Sequence, residues 1–292
     1  LIVDSVYHPT RRFADTMLTR LGVEVQYYDP LVGAGIAALM KRNTKVVFTE
    51  SPGSNTFEMQ DIPAIASVAR ERGAVVMMDN SWATPVHFRP LDHGVDISIH
   101  AATKYLAGHS DVLMGTVSAN ERCWAQLHET FLTLGCCPAP DDVYQVLRGL
   151  RTLGVRLERH QKSALEIARW LEGQPGVARV LYPGLENDPG HAIWKRDFSG
   201  ASGTLSIALD GGGTKNAHAF LDALKLFGLG YSWGGYESLA VHVSLRDRTV
   251  TKNDYEGPLI RLQIGIEDVA DIKADLARGL AAARAAGDGQ EA

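Results

Sequence analysis

A chain of 292 residues, 45% hydrophobic and 22% charged, is long enough for one large domain or two of ordinary size. Its formal charge of -5 gives no electrostatic ground for binding nucleic acid or an anionic membrane, and no apolar run approaches the roughly eighteen residues that span a bilayer. Three cysteines, Cys123, Cys136 and Cys137, make neither an even disulfide framework nor a spaced metal pair. That points to a reducing, cytoplasmic setting and, for the adjacent pair, to buried filler.

The opening LIVDSVYHPT starts on a strand-like apolar triplet with no basic leader and no cleavage site, so it is not a signal peptide. A strand with nothing before it leads to the expectation of an upstream part beyond this chain. PTRRFADTMLTRLG follows as a helix ending at Gly22, then VEVQYYDP as a strand and GAGIAALMKR as a helix. KVVFTE is a strand, IPAIASVARERG a helix closed by Gly73, and AVVMMDN, VDISIH and LMGTVSAN are strands. Such alternation predicts an α/β fold with a mostly parallel sheet covered on both faces. Ligands of such sheets bind beyond the carboxyl ends of the strands. Three candidates fall there: Glu50-Ser51-Pro52-Gly53, Asp79-Asn80-Ser81 and Lys104.

From Asp142 to about Gly173 the pattern LRGLRTLGVRLERHQKSALEIARWL is helical and long enough to bridge two domains. VARVLYP and TLSIALD follow as strands, NAHAFLDALKLFG as a helix and LIRLQIGIED as a strand, before the amphipathic DVADIKADLARGLAAARAAG and a frayed end. The expected organisation is a large domain over 1–150 and a smaller α+β domain over 151–292. DGGGT at 210–214 is a turn, Met77-Met78 is strand core, and His100 and His109 lack a third metal ligand nearby.

Asp79 ends the apolar run AVVMM, where a carboxylate needs a cation or hydrogen-bond donors. On its own it fits an Asx turn or helix cap with Asn80 and Ser81. Lys104 on its own fits a loop lysine that reaches out to water. Together, a carboxylate and a lysine at the ends of two strands of one sheet are the parts that pyridoxal phosphate needs. An amine can condense with its aldehyde, and a carboxylate can hold its ring nitrogen protonated. Thr103 offers a hydroxyl for the phosphate among small neighbours. In LIRLQIG, residues 260, 262 and 264 face one way and Arg261 the other, which suits either a carboxylate ligand or a cross-strand salt bridge.

DNSWATPVHFRPLDHGVDISIHAATKYLAGHSDVLMGT resembles the signature of the Cys/Met-metabolism family of fold-type I pyridoxal-phosphate enzymes. ESPGSNTFEMQDIPAIA, RGLRTLGVRLERH, YSWGGYESL and LIRLQIGIEDVADI match that family in order, over essentially the whole chain. The resemblance implies a mostly parallel sheet of the seven-stranded type, N-terminally incomplete here, with a smaller C-terminal domain. It implies that Lys104 is the Schiff-base lysine and α-proton base, and that Asp79 pairs with the pyridine nitrogen. It further implies that Tyr7 stacks on the ring and assists proton transfer, that Thr103 meets the phosphate, and that Arg261 clamps the substrate α-carboxylate. Ser232 and Trp233 would lie near the same pocket, although Trp233 equally suits the core.

Within the family, YHPT at Tyr7-His8-Pro9-Thr10 and the indole at Trp233 lie nearer the β-eliminating lyases than the γ-type enzymes. The implied reaction is α,β-elimination of L-cystathionine to homocysteine, pyruvate and ammonia in methionine biosynthesis, with cystine as a further substrate. A γ-type transsulfuration enzyme and a catalytically silent protein that kept the fold are the alternatives. The implied assembly is a homotetramer, a dimer of dimers.

Overall fold

The structure is a computed structural model that describes residues 1–252 and 255–288. Its first sheet contains β1 (Ile2–Val3), β2 (Tyr27–Tyr28), β3 (Val46–Glu50), β4 (Val75–Asp79), β5 (Ile97–Ala101) and β6 (Gly115–Ala119). The strand order is β2-β1-β3-β4-β5-β6, all parallel except β6, which runs antiparallel to β5. Six strands of the implied seven-stranded type are thus present among the described residues. The helices of this part are α1 (His8–Phe13), α2 (Ile62–Glu71) and α3 (Thr84–His87). The Asp61 side chain caps α2 by accepting from the Ala64 amide, and Ile62, Ile65, Ala66 and Ala69 form its buried face.

Two early elements are shorter than the sequence pattern predicts. VEVQYYDP yields only Tyr27–Tyr28 as strand, because this edge has only the two-residue β1 to pair with. GAGIAALMKR makes a 3-10 turn over Gly33–Ala38 rather than an α-helix, starting from Gly33 in the left-handed region. The stretch after β6 becomes α4 (Glu121–Leu134), capped by Asn120 and closed by Gly135 at φ 65°. Beyond that cap the chain leaves the helix, so Cys136 and Cys137 are exposed and not the buried filler expected; Cys123, inside α4, is buried.

The long helix expected from Asp142 is two helices, α5 (Pro140–Leu150) and α6 (Leu153–Glu172). Near the interruption Gly149 makes a close backbone approach, since an added Cβ there would lie 2.2 Å from the Ala107 carbonyl oxygen. The backbone of α5 is pressed onto the loop around Ala107. The Gly149 carbonyl accepts from the Thr152 amide at 3.1 Å and from the Arg156 guanidinium at 2.8 Å.

The second sheet is built from β7 (Val177–Leu181), β8 (Thr204–Leu209), β9 (Gly228–Leu229), β10 (Leu239–Val243) and β11 (Leu259–Gln263). Its order is β7-β8-β11-β10-β9, antiparallel apart from the β10–β9 pair. Helices α7 (His191–Asp197), α8 (Thr214–Ala223) and α9 (Val269–Asp288) accompany it. The short α7 and the strand β10 lie in stretches for which the sequence pattern yields no element, and NAHAFLDALKLFG, expected as a helix through Gly228, is helical only to Ala223 and gives Gly228 to β9. The expected frayed end lies outside the described residues.

One apolar cluster runs from the first sheet through α6 to the second sheet and α9. A smaller one, around Ala102, Tyr105, Leu106, Val146, Leu153 and Leu157, underlies the loop that carries Lys104. A separate polar anchor joins chain segments far apart in sequence. Asp4, fully buried, accepts from the Arg11 guanidinium at 2.6 Å and from the amides of Thr249, Val250 and Thr251 at 3.1, 2.9 and 2.9 Å.

Candidate active site

Parallel register brings the strand ends together. Glu50 pairs with Asp79, and Asp79 with Ile99, so the carboxyl ends of β3, β4 and β5 open on the same side. A cleft lies there, lined among others by Tyr7, Glu50, Asp79, Lys104, Trp233 and Arg261. Three loops and one strand of the second sheet therefore converge on residues that the sequence singles out separately.

The lysine loop is fastened from beneath. Tyr105 is fully buried, and its hydroxyl lies 3.0 Å from both Thr204 Oγ1 and Gln263 Oε1 and accepts from the Gly203 amide at 2.9 Å. The Tyr105 carbonyl accepts from Arg156 Nη1 at 2.8 Å. Lys104 itself is held by its amide to the Ala101 carbonyl and by its carbonyl to the Gly108 amide. Its amine donates to Ser232 Oγ at 2.8 Å and stands 4.9 Å from the centre of the Trp233 indole. Gly234, at φ 83°, lets that loop pass over the lysine, since an added Cβ would come within 2.8 Å of the Tyr105 nitrogen.

The electrostatics suit an amine that must lose its proton. Burial, helped by the positive charge of Arg261 and opposed by Asp79, lowers Lys104 to about 8. Burial raises Asp79, while the Ser81 amide at 2.9 Å and the Lys104 charge favour its ionised form. Asp79 therefore makes the Asx-type contact and also lines the cleft. Burial likewise raises the Tyr7 phenol, with Arg261 acting against it, and the Tyr7 ring is exposed at the mouth.

Arg261 is buried in β11 between Ile260 and Leu262, and its guanidinium points the other way, into the cleft. Its Nη1 donates to Asn55 Oδ1 at 3.2 Å and its Nη2 to the Tyr231 carbonyl, neither of which is a carboxylate. A buried cation without an acid in those bonds can take an anionic ligand. Thr103 is placed differently from the other candidates. Its hydroxyl donates to the Met114 carbonyl at 3.2 Å and accepts from the Met114 amide at 2.9 Å, which braces the loop. His100 lies against Ser98, His109 against the Ala107 carbonyl, and burial pushes His100 down to about 4.

Four further residues belong to the site. Glu50 is picked out in the sequence only as a strand end, and its carboxyl group accepts the Tyr7 amide at 2.8 Å. Asn55 meets Arg261 from a left-handed backbone, φ 67°. Tyr105 and Arg156 support the lysine from below. For Arg156 a signal exists: it falls on the buried stripe of α6 with Leu153, Leu157, His160 and Ala164, where a charge needs a reason.

The donor set fits pyridoxal phosphate at its ring and aldehyde end. An amine of lowered pKa and a carboxylate from the adjacent strand line the same cleft. A family model described as Cys/Met metabolism PLP-dependent enzyme matches residues 1–281. The chain belongs to that family. A putative cystathionine beta-lyase of Rhizobium johnstonii is 68% identical over 98% of this chain and 73% of its own length. The cystathionine beta-lyase of Salmonella typhimurium is 48% identical over 96% of this chain and 73% of its own length. Among solved structures, the cystathionine gamma synthase of Xanthomonas oryzae in complex with cystathionine superposes with a TM-score of 0.91 at 33% identity, covering 98% of this chain and 75% of its own. The fold is thus that of the family's enzymes, with pyridoxal phosphate as cofactor.

Proposed function

We propose that this chain is a carbon–sulfur lyase that cleaves L-cystathionine by α,β-elimination, as the names of its relatives at 48% and 68% identity support. The observation that carries the reading is the convergence of Lys104, Asp79, Tyr7 and Arg261 on one cleft. When bound, the cofactor supplies an electron sink that stabilises negative charge at the substrate α-carbon. Asp79 would hold the ring nitrogen, and Tyr7 would lie against the ring. Thr103 would serve the phosphate end through the loop that it braces.

Arg261 binds the substrate α-carboxylate with a planar fork, which fixes the α-carbon over the floor. Lys104 would take the α-proton; burial in the cofactor-free chain lowers its amine to about 8, toward neutral pH. Ser232, which accepts from that amine, keeps it directed into the cleft, and the Trp233 indole walls the lysine side. The bond from Cβ to sulfur then breaks, with the electron pair leaving on sulfur, and the Tyr7 hydroxyl delivers a proton to give homocysteine. Water converts the remaining aminoacrylate to pyruvate and ammonia. Cystine, which also places sulfur on Cβ, fits the same chemistry.

Residues 1–150 would act as the cofactor domain and 151–292 as the smaller domain that brings Arg261 to the cleft. Trp124, Phe131 and Leu134 on α4, with Tyr144 and Leu147 on α5, expose an apolar helical face that supports a homotetramer built of dimers. Free cysteines and the amino-acid substrate fit the cytoplasm.

The test is the identity of the keto acid that the purified protein releases from L-cystathionine in the presence of pyridoxal phosphate. Pyruvate is expected. Release of 2-oxobutyrate would instead establish γ-elimination, the second reading, which the likeness to the gamma synthase structure favours.

A further inference from the structure

Glu50 and Asp79 occupy facing register positions at the ends of β3 and β4, and both line the cleft. Two carboxylates on adjacent strands of a buried floor cannot both ionise cheaply, so the pair behaves as a unit that keeps a proton. What decides its location is the partners on each side. Asp79 receives the Ser81 amide at 2.9 Å and faces the Lys104 ammonium. Glu50 receives the Tyr7 amide at 2.8 Å, and the cation that acts on it is Arg248. That guanidinium is already engaged by the Ser54 carbonyl at 2.9 Å, Thr56 Oγ1 at 2.8 Å and Glu58 at 3.8 Å.

We infer that Glu50 works as a neutral carboxylic acid that positions Tyr7 and leaves the negative charge of the cleft floor on Asp79. The groups facing it are Asp79 from β4, the Tyr7 phenol, and Arg248 with Glu58 from the flanking loops. Burial and the Asp79 charge act on Glu50 in the same direction, both holding its proton on. The functional consequence concerns both neighbours. An ionised Glu50 would press a proton onto Asp79, which must stay charged to hold a ring nitrogen. It would also raise the Tyr7 phenol and oppose its return to the ionised form after proton delivery. A neutral Glu50 does neither, yet still accepts the amide that sets the start of α1 and the Tyr7 ring above the floor. The positioning role rests on the lyase reading; the protonation state does not.

Glu50→Gln and Glu50→Ala, each loaded with pyridoxal phosphate, separate the possibilities. Glutamine keeps the acceptor and the neutrality, so kcat/KM for L-cystathionine should stay within about threefold of the parent, with both limbs of its pH profile unmoved. Alanine removes the acceptor, and kcat/KM should fall about tenfold or more. Should the alanine variant fail to fold, the glutamine variant decides alone. Its infrared difference spectrum against the parent at neutral pH should lack one protonated-carboxyl stretch, a readout independent of turnover. An unchanged carboxyl band, or a pH profile displaced in Glu50→Gln, would overturn the neutral state. A glutamine variant as impaired as the alanine one would overturn the positioning role. A missing band in a protein that makes no pyruvate would uphold the neutral acid and sink the lyase reading.

Discussion

Replacing Arg156 with alanine should unfold the support of the lysine loop without touching a residue of the cleft. The guanidinium donates to the Tyr105 carbonyl, the Gly149 carbonyl and Thr152 Oγ1, at 2.8, 2.8 and 3.1 Å. The residue is buried and burial lowers its pKa, so some desolvation cost is relieved when it goes. Against that, the Tyr105 carbonyl loses its donor, at about 1–3 kcal/mol, the Gly149 carbonyl is left with the Thr152 amide and hydroxyl, and the stem leaves a void. The net expectation is a loss of roughly 2–4 kcal/mol in unfolding free energy, from one stranded carbonyl and the void. Arg156→Lys keeps the charge but offers one point of contact where the fork has three, and should lose about 1–3 kcal/mol. Urea unfolding followed by circular dichroism measures both variants. Among molecules that remain folded, the alanine variant should show a reduced kcat, because Lys104 adjoins Tyr105. An alanine variant within about 0.5 kcal/mol of the parent would mean that water satisfies the Tyr105 carbonyl and that Arg156 is no brace.

Two other outcomes are expected. In the cofactor-free chain, Lys104 titrates near 8 folded and at the ordinary 10.5 unfolded, so between those values the unfolded chain binds the extra proton. Stability should therefore rise with pH across that window, and Lys104→Met should remove the rise; unfolding curves at both ends of the window for each protein test it, and equal slopes would refute the lowered amine. Arg261→Lys loses the planar fork and should raise KM for L-cystathionine roughly ten- to hundredfold with a smaller change in kcat, and an unchanged KM in steady-state kinetics would remove the carboxylate clamp.

Lys104 and Asp79 were legible in the sequence because both stand at the end of an apolar alternating run, where a charge has no place in ordinary packing. Arg261 was legible for the related reason that it alternates with Ile260 and Leu262. Glu50 ends a strand in the same way, yet nothing local distinguishes an acid that holds its proton from one that does not; register with Asp79 does so, and register is a property of the sheet. Asn55 escapes because its role depends on a left-handed backbone conformation and on a residue 206 positions away. The break between α5 and α6 was hidden because helical periodicity continues straight across it. Cys136 and Cys137 misled for a simpler reason: composition says where such residues usually lie, and Gly135 had already ended their helix.

The anchor at Asp4 bears on the order in which the molecule can be assembled during synthesis. Its acceptor oxygens are satisfied by Arg11, seven residues on, and by the segment at Thr249 to Thr251, some 245 residues later. A ribosome adding about 5–20 residues per second would release Asp4 well before those amides exist. In that interval the carboxylate is best served by water, so β1 should stay outside the growing sheet, and its closure becomes a late event carried by one of the longest loops in the chain.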